Sequence, residues 1–321
     1  MSASLYPEIE PYAQGLLEVP GGHRIYYEEC GTRNGVPVVF LHGGPGSQCN
    51  SGHRRFFDPE HYRIILFDQR GCGKSPPFGE IRGNTTAHLI ADMEQLRATL
   101  KIERWLLFGG SWGSTLALAY AQQHPQAVLG LILRGIFLCS GEELDWYFYG
   151  LKQFAPEAWE RFSSRVPKQR RNELLQYYHG AIHQADQGSA LAAAKAWSNY
   201  EAELMMLGEL QQEAKPPLPD EAMLGRVRIQ THYLMNNCFL HENMLLTHLP
   251  AIRHLPATIA HGRFDLVCPV GAAYALHRAW PEAELKIVEN AGHSSSSPAM
   301  ASMLVAATER FKEILAGAAA R

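Results

Sequence analysis

The sequence lacks long apolar runs and any concentration of charge of one sign. No apolar segment approaches the ~20 residues that span a bilayer, so we expect no membrane partner. The N-terminal stretch MSASLYPEIEPYAQG has no basic segment followed by an apolar run, and we therefore expect no signal peptide. The 29 basic and 32 acidic residues are spread along the chain without a basic stripe, which argues against nucleic acid as a partner.

Paired cysteines and metal-binding motifs are also missing. The six cysteines stand singly, without CxxC pairs or a disulfide-like spacing, which favours a reducing, cytoplasmic compartment. There is no HExxH motif, and the 15 histidines form no cluster with ligand spacing, so we expect neither a metal nor another cofactor. Hydrophobic residues make up 46% of the 321, which is enough for a large core without such cross-links.

Short apolar runs and amphipathic stretches predict an alternation of strands and helices. Buried strands are expected at 36–41, 64–67, 105–108 and 128–133. A helix over 85–100 is indicated by apolar residues at helical spacing, namely Leu89, Met93, Leu96 and Leu100. Further strands, expected at 258–260 and 285–288, come after a long segment of helical pattern.

These elements predict an α/β protein with a mostly parallel central sheet and helices on both of its faces. The sheet and its helices are expected to form from residues 1–136 and 249–321. Residues 137–248 are rich in Trp, Tyr, Glu, Gln and Lys, with helical patterning and little strand signal. We therefore expect them to form a helical cap inserted into the α/β core.

A nucleophile motif follows the strand at 105–108. The sequence Gly109-Gly110-Ser111-Trp112-Gly113 matches G-x-S-x-G, in which a sharp strand-to-helix turn exposes the serine hydroxyl above the sheet. An apolar strand precedes the motif and a helical segment follows it, which is the context that it requires. The arrangement resembles the α/β-hydrolase fold and predicts Ser111 as a nucleophile.

A serine hydroxyl needs a base to accept its proton, and in this fold an acid and a histidine follow later in the chain. Asp265 comes after the strand at 258–260, and His293 comes after the strand at 285–288. Both lie where α/β sheets carry their sites, at the carboxyl ends of strands. We expect Ser111 to attack a carbonyl carbon, His293 to transfer the proton and Asp265 to orient the histidine.

Backbone N–H groups should stabilise the oxyanion that this attack creates. One is expected from Trp112, the residue after the nucleophile, and the other from the glycine-rich turn at 42–46. Within that turn we predict Gly44 as the donor, because Pro45 has no N–H.

Several stretches of the chain together resemble the proline iminopeptidases. They are FLHGGPG, FDQRGCGKS, GGSWGSTLALAYAQQHP, LRGIF, HGRFD and AGHS, and the resemblance extends over nearly the whole chain. It implies a serine exopeptidase that releases N-terminal proline from small peptides through an acyl-enzyme, without a cofactor.

The resemblance also implies a pocket for proline beneath the cap. Glu201 matches the cap glutamate with which the family binds the charged N-terminus. Other pocket or aromatic positions of the family are matched by Arg134, Phe137, Trp146, Tyr147 and Phe148. A buried ammonium needs a carboxylate partner, and a pyrrolidine ring packs well on aromatic faces.

Position 230 departs from the family pattern. The family commonly has a second glutamate in the context I-E-N-H-Y, whereas this chain reads I-Q-T-H-Y. Gln230 can accept a hydrogen bond from an ammonium group but cannot neutralise its charge. The departure leaves the strictness of proline selection open.

Two other functions remain open on the residues alone. A carboxylesterase or broad acyl hydrolase would use the same three catalytic residues, because a serine triad serves both esters and amides. A non-catalytic binding protein on the same scaffold would usually lack one of them. The oligomeric state does not follow from the sequence.

Overall fold

The computed structural model describes residues 4–207 and 218–319, whose strands form one eight-stranded sheet. The strands are β1 (Ala13–Val19), β2 (His23–Gly31), β3 (Val36–Leu41), β4 (Tyr62–Phe67), β5 (Trp105–Ser111), β6 (Val128–Ile136), β7 (Ala257–Gly262) and β8 (Glu284–Val288). Their spatial order is β1-β2-β4-β3-β5-β6-β7-β8. Only the two pairs that β2 makes, with β1 and with β4, are antiparallel. The predicted mostly parallel sheet is therefore confirmed.

Helices pack on both faces of this sheet. The α-helices of the described residues are α1 (Thr86–Thr99), α2 (Trp112–Gln123), α3 (Gly141–Asp145), α4 (Pro156–Ser163), α5 (Leu174–Ile182), α6 (Gln187–Met206), α7 (Asp220–Met235), α8 (Met244–Thr247), α9 (Val270–Ala279) and α10 (Pro298–Ala319). Within the described ranges, none of them combines the length and the hydropathy needed to cross a bilayer.

The helix predicted over 85–100 appears as α1, and all four apolar residues that predicted it are buried. The Thr85 side chain accepts a hydrogen bond from the His88 N–H and so caps the first turn of the helix. The six predicted strands are also present: the one at 36–41 coincides with β3, and the other five each lie within a slightly longer observed strand.

The structure adds β1 and β2, which the sequence analysis did not predict. β2 buries the charged residue Glu28, which forms an ion pair with Arg54 at 2.8 Å. Because this pair satisfies the buried charge, the strand does not need the apolar pattern by which central strands are identified. β1 is an edge strand whose residues alternate between half-buried and exposed, which leaves only a weak apolar signal.

Successive residues of the central strands point into two separate apolar clusters, as the period of two requires. On one side, called the α2 face, Val39 and Leu107 pack with α2 and with the helices between β6 and β7 (α3–α8), called here the inserted helices. On the other, called the α10 face, Val38 and Leu106 pack with α10 and the N-terminal segment. A cavity at the carboxyl edge of the sheet can therefore be lined from both faces.

The segment between β6 and β7 consists of helices and connecting loops, without a strand in its described parts, 137–207 and 218–256. Helices α5, α6 and α7 pack against one another, and α4 packs on α6 with an aromatic stack that reaches α5. The Phe162 ring lies between Tyr178, with centroids 4.2 Å apart, and Tyr200, with centroids 4.3 Å apart. The division of the chain into a core and a cap at 137–248 stays a prediction.

A histidine at the end of α5 makes the packing of these helices sensitive to acid. The His183 Nε2 lies 3.2 Å from the Thr231 hydroxyl oxygen on α7, and its ring lies 4.3 Å from that of His179. Burial, and after it the neighbouring His179, lowers the pKa of His183 to about 4. In the folded protein His183 is therefore neutral at pH values at which an unfolded histidine binds a proton.

We expect the His183 contribution to the free energy of unfolding to be complete above pH 6.5 and to be lost as the pH falls toward about 4. His183→Gln removes this titration, so between those pH values the variant should lose less stability than the wild type. With an allowance for partial exposure of the ring, the difference should be about 1–2 kcal/mol. Urea unfolding at a series of pH values measures it, and identical pH dependence in both proteins would contradict the prediction.

Candidate active site

The turn between β5 and α2 holds Ser111 in an unusual backbone conformation. Its φ is 56° and its ψ is −129°, a combination that residues with side chains rarely adopt and that costs on the order of 1–3 kcal/mol. The helix can begin at once because residue 113 is glycine: a Cβ there would lie 2.1 Å from the Leu41 carbonyl oxygen. The strained turn brings Ser111 to the wall of a cavity at the carboxyl edge of the sheet.

Asp265 follows β7, His293 follows β8, and the two side chains lie in direct contact. The His293 Nδ1 lies 2.9 Å from one carboxylate oxygen of Asp265 and 2.8 Å from the other. Because an ionised carboxylate can only accept, Nδ1 carries a proton and Nε2 is left free to act as a base. The two loops meet closely at Gly262, where a Cβ would lie 2.3 Å from the carbonyl oxygen of Gly292.

Asp265 is kept ionised by its partners although it is buried. Burial by itself raises the pKa of Asp265, but the charge and hydrogen bond of His293, together with the other partners of the carboxylate, outweigh burial and hold the pKa below its usual value. His261 adds to this, with its Nε2 3.5 Å from the carboxylate, and the Cys268 N–H donates a hydrogen bond of 2.9 Å. An ionised Asp265 can therefore both orient His293 and stabilise its protonated form.

The predicted oxyanion donors lie in two segments that Gln69 connects. The Gln69 side chain accepts a hydrogen bond from the Trp112 indole at 2.8 Å and donates one to the His42 carbonyl oxygen at 2.9 Å. Trp112 is the first residue of α2, where N–H groups have no acceptor within the helix. Gly44 lies in the neighbouring loop at a φ of +119°. Sequence reasoning missed Gln69, although it stands in the FDQRG stretch that supported the resemblance.

A cavity of about 460 Å³ collects most of the predicted site residues. Its wall includes Ser111, His293, Gly44, Arg134, Phe137, Tyr147, Glu201 and Gln230. The structure does not bring Trp146 or Phe148 to this wall. The Trp146 indole instead donates to the Leu266 carbonyl oxygen, and Phe148 is buried against Trp197 among the inserted helices.

Two of the wall residues, Arg134 and Tyr147, differ in how their polar atoms are hydrogen-bonded. Arg134 donates a hydrogen bond of 2.5 Å to the carbonyl oxygen of His293 and so helps to position the histidine loop. The Tyr147 hydroxyl is buried and has no hydrogen-bond partner among the described residues, which leaves it available to a ligand. Burial, and then the nearby Glu201 carboxylate, raises the pKa of Tyr147 well above its usual value, so it can donate a hydrogen bond.

Glu201 is bound on both carboxylate oxygens by residues of α7. Arg226 Nη2 lies 2.7 Å from one oxygen, and the Gln230 Nε2 donates to the other at 2.6 Å. The orientation of the Gln230 amide is defined by Trp197, whose indole N–H donates to the amide oxygen at 3.0 Å. Gln230 therefore holds Glu201 in place through its amide nitrogen.

Arg226 is a site residue that sequence reasoning missed. It stands four positions before Gln230, one turn away on the same face of α7, and that spacing is the signal that could have identified it. It offsets the charge of Glu201 and lines the same cavity. In the described parts of the chain, no group of three or more His, Cys, Asp or Glu residues is arranged to hold a metal ion.

This geometry can carry out acyl transfer at a carbonyl carbon. A serine at a strained turn, a histidine with its Nδ1 bound to a buried carboxylate, and N–H groups near the serine are the parts that such chemistry requires. A carboxylate on the wall of the same cavity can in addition bind a positively charged group of the substrate.

Comparison with known proteins places the chain among hydrolases of this kind. Residues 36–297 match the family model described as "alpha/beta hydrolase fold". The chain is 46% identical to the proline iminopeptidase of Xylella fastidiosa (strain 9a5c) over 310 residues, which are 96% of this chain and 99% of the relative. It is 47% identical to the proline iminopeptidase of Arabidopsis thaliana over 97% of this chain and 83% of the relative. It is 44% identical to the proline iminopeptidase of Neisseria gonorrhoeae over 95% of this chain and 98% of the relative.

Solved structures share the fold at much lower identity. An esterase from Exiguobacterium antarcticum has a TM-score of 0.62 at 21% identity, over 92% of this chain and 98% of the esterase. VinJ has a TM-score of 0.60 at 20% identity, over 95% of this chain and 99% of VinJ. At such identities the likeness concerns the fold alone.

The geometry around His293 predicts the effect of Asp265→Asn. An asparagine amide can donate to the histidine and so favour the wrong tautomer, and kcat should fall about 10⁴-fold. Hydrolysis of an activated ester measures kcat, and labelling by a fluorophosphonate probe, which Ser111→Ala should abolish, reports the nucleophile. Asp145→Asn, at an exposed position in α3, is the matched control and should behave as the wild type. A loss of less than tenfold in Asp265→Asn would contradict the assignment.

Proposed function

The chain belongs to the proline iminopeptidase family of α/β hydrolases, and on that basis we infer that it is a serine aminopeptidase releasing N-terminal proline from peptides. The similarity supports this over nearly the full length of both the chain and its relatives. The single site observation that carries the inference is the Glu201 carboxylate, which is only 14% exposed and lines the same cavity as Ser111. An esterase would have no need of a buried carboxylate at this place.

In the mechanism that we propose, Ser111 attacks the carbonyl carbon of the N-terminal proline while His293 accepts the hydroxyl proton. The N–H groups of Trp112 and Gly44 donate hydrogen bonds to the oxyanion. His293 then gives its proton to the amine of the departing peptide, which leaves a prolyl ester on Ser111. A water molecule, deprotonated by His293, hydrolyses that ester and frees proline, and Asp265 stabilises the charged histidine in both steps.

Proline selection is proposed to come from residues that share the cavity wall with Ser111. The charged imino group of the substrate would interact with Glu201, because each carboxylate oxygen can accept more than one hydrogen bond. The pyrrolidine ring would pack against Phe137 and Tyr147, which line the same wall. We also propose that residues 137–248 act as a cap on a core of 1–136 and 249–321. Such a cap would leave no room for a residue before the proline.

The environment of Glu201 suggests moderate selection for a charged N-terminus. Arg226 already offsets the charge of Glu201 at 2.7 Å, and Gln230 contributes no charge. The Arg226–Glu201 pair is therefore close to neutral as a unit. The electrostatic attraction of a substrate ammonium to this pair is weaker than its attraction to an unpaired carboxylate.

The proposed substrates are small peptides with an N-terminal proline. We further propose a cytoplasmic location, because the six cysteines are unpaired and most of them are buried as free thiols, which suits a reducing compartment.

Glu201→Gln tests the proposed role of the carboxylate. The variant keeps the size of the side chain but removes its charge, so kcat/KM for proline naphthylamide should fall about 100-fold. Hydrolysis of a p-nitrophenyl ester without an amino group should change less than threefold. Glu203→Gln is the matched control, because Glu203 stands two residues later on α6 and pairs instead with Arg161. Its activities should equal those of the wild type.

Two results would contradict the proposal in different ways. Equal losses on the amide and the ester in Glu201→Gln would show that Glu201 supports the fold of the site rather than the substrate ammonium. A wild-type enzyme that cleaves the ester well but releases no proline from the amide would instead overturn the activity itself.

Gln230→Glu should strengthen binding of amino-terminal substrates. The new carboxylate would lie beside Glu201, give the group a net negative charge and still accept the Trp197 hydrogen bond. We expect KM for proline naphthylamide to fall about fivefold at pH 8. The gain should be smaller at pH 6, because two adjacent carboxylates tend to share a proton. Steady-state kinetics at both pH values measure this, and an unchanged or higher KM would count against it.

A further inference from the structure

The cavity that contains Ser111 has a second end, which the proline-binding residues do not occupy. Glu201 and Tyr147 lie on the side of the α2 face, where the inserted helices pack. The opposite part of the wall, called here the α10 end, is formed by Leu5, Phe40, His53, Arg55 and Phe56. Its apolar members belong to the α10-face cluster or pack against it. A substrate that spans Ser111 therefore has a separate environment on each side of the scissile bond.

The direction of the proposed reaction assigns the α10 end to the leaving group. His293 must reach the departing amine in order to protonate it. The residues after it, Ser294 to Ser296, line the cavity, and the chain then continues into α10, which packs on the 3₁₀ turn Ser51–Phe56. The residue that follows proline in the substrate therefore extends past His293 toward this turn. This inference rests on the proposed function.

The α10 end combines an apolar surface with one cation. Phe40 and Phe56 are buried, and the His53 ring stacks on Phe40 with centroids 4.2 Å apart. Arg55 stands between His53 and Phe56 in the same 3₁₀ turn. Its side chain is fixed by a hydrogen bond of 2.7 Å from Nε to the Tyr6 carbonyl oxygen. The same two residues also pair through the Tyr6 N–H and the Arg55 carbonyl oxygen, at 2.9 Å.

The rest of the Arg55 guanidinium is available to a ligand. Its nearest carboxylate among the described residues, Glu8, is 3.9 Å away and 81% exposed, so it offers little competition. The neighbouring Arg54 differs, because Glu28 binds it through both carboxylate oxygens and the Ile9 carbonyl oxygen accepts a further hydrogen bond. Of the two consecutive arginines, Arg54 supports the fold, and only Arg55 lines the cavity.

We propose that Arg55 binds the free α-carboxylate of the residue that follows proline, and that the enzyme therefore favours dipeptides of the form Pro-X. A planar guanidinium with unused N–H groups suits a carboxylate. The side chain of X, when it is apolar, packs against Leu5, Phe40 and Phe56. Arg55 in this way determines specificity on the leaving-group side and takes no part in the proton transfers.

The test compares Pro-Phe with its C-terminal amide, which differs only in lacking the negative charge. For the wild type we expect kcat/KM to be about tenfold higher for Pro-Phe, and the ratio to decrease with added salt because Arg55 is partly exposed. In Arg55→Gln the ratio should fall to about one, whereas Arg55→Lys, which keeps the charge, should retain most of the preference. Both substrates are measured with the same preparation of each variant, so a loss of folded protein lowers both kcat/KM values equally and leaves their ratio unchanged.

Arg33→Gln is the matched control, because Arg33 is exposed, packs over the Tyr12 ring and does not line the cavity. Its ratio should equal that of the wild type. A wild-type ratio near one, or an unchanged ratio in Arg55→Gln, would overturn the assignment of Arg55. Release of proline from neither peptide nor from proline naphthylamide would instead overturn the proposed function, so the two failures are distinguishable.

Discussion

The site depends on the strained backbone of Ser111, which remains in an unfavourable conformation only because the elements around it pack very closely. The first turn of α2 lies so near the end of β3 that a side chain at Gly113 would collide with the Leu41 carbonyl oxygen. This contact places the nucleophile at the start of a helix, beside the N–H of Trp112. It also ties the geometry of the nucleophile to the stability of the central sheet.

Hydrogen bonds of buried and half-buried polar residues then connect the separate parts of the site. Gln69 joins the loop before Gly44 to the indole of Trp112, and Arg134 binds the main chain of His293. His261 accepts a hydrogen bond from the Ile136 N–H and lies against the Asp265 carboxylate. Because Gln69 and His261 are buried, the loss of a partner would leave an unsatisfied polar atom, and their arrangement is therefore well determined.

Much of the fold could be predicted because its signals are local. The apolar strands and the α1 periodicity were visible along the chain, and the structure confirms them. β2 could not be predicted, since its Glu28 is buried only because Arg54, 26 residues later, pairs with it, and the half-exposed edge strand β1 leaves only a weak apolar signal. For the site, the motifs predicted Ser111, Asp265 and His293, and the structure places the last two in contact. Trp146 and Phe148 were predicted for the pocket because they belong to an aromatic run, but the packing of the inserted helices places both away from the cavity wall.

The sequence by itself determined which chemical groups this protein has and in what order, because G-x-S-x-G and the later Asp and His depend on local turns at strand ends. Only the tertiary structure decided how charges are shared around Glu201. Arg226 and Gln230 reach that carboxylate from a different helix, and no local pattern encodes a contact between α6 and α7. The same holds for the two ends of the cavity, which come from opposite faces of the sheet. Side-chain pairing across elements depends on packing, and packing is a property of the folded chain alone.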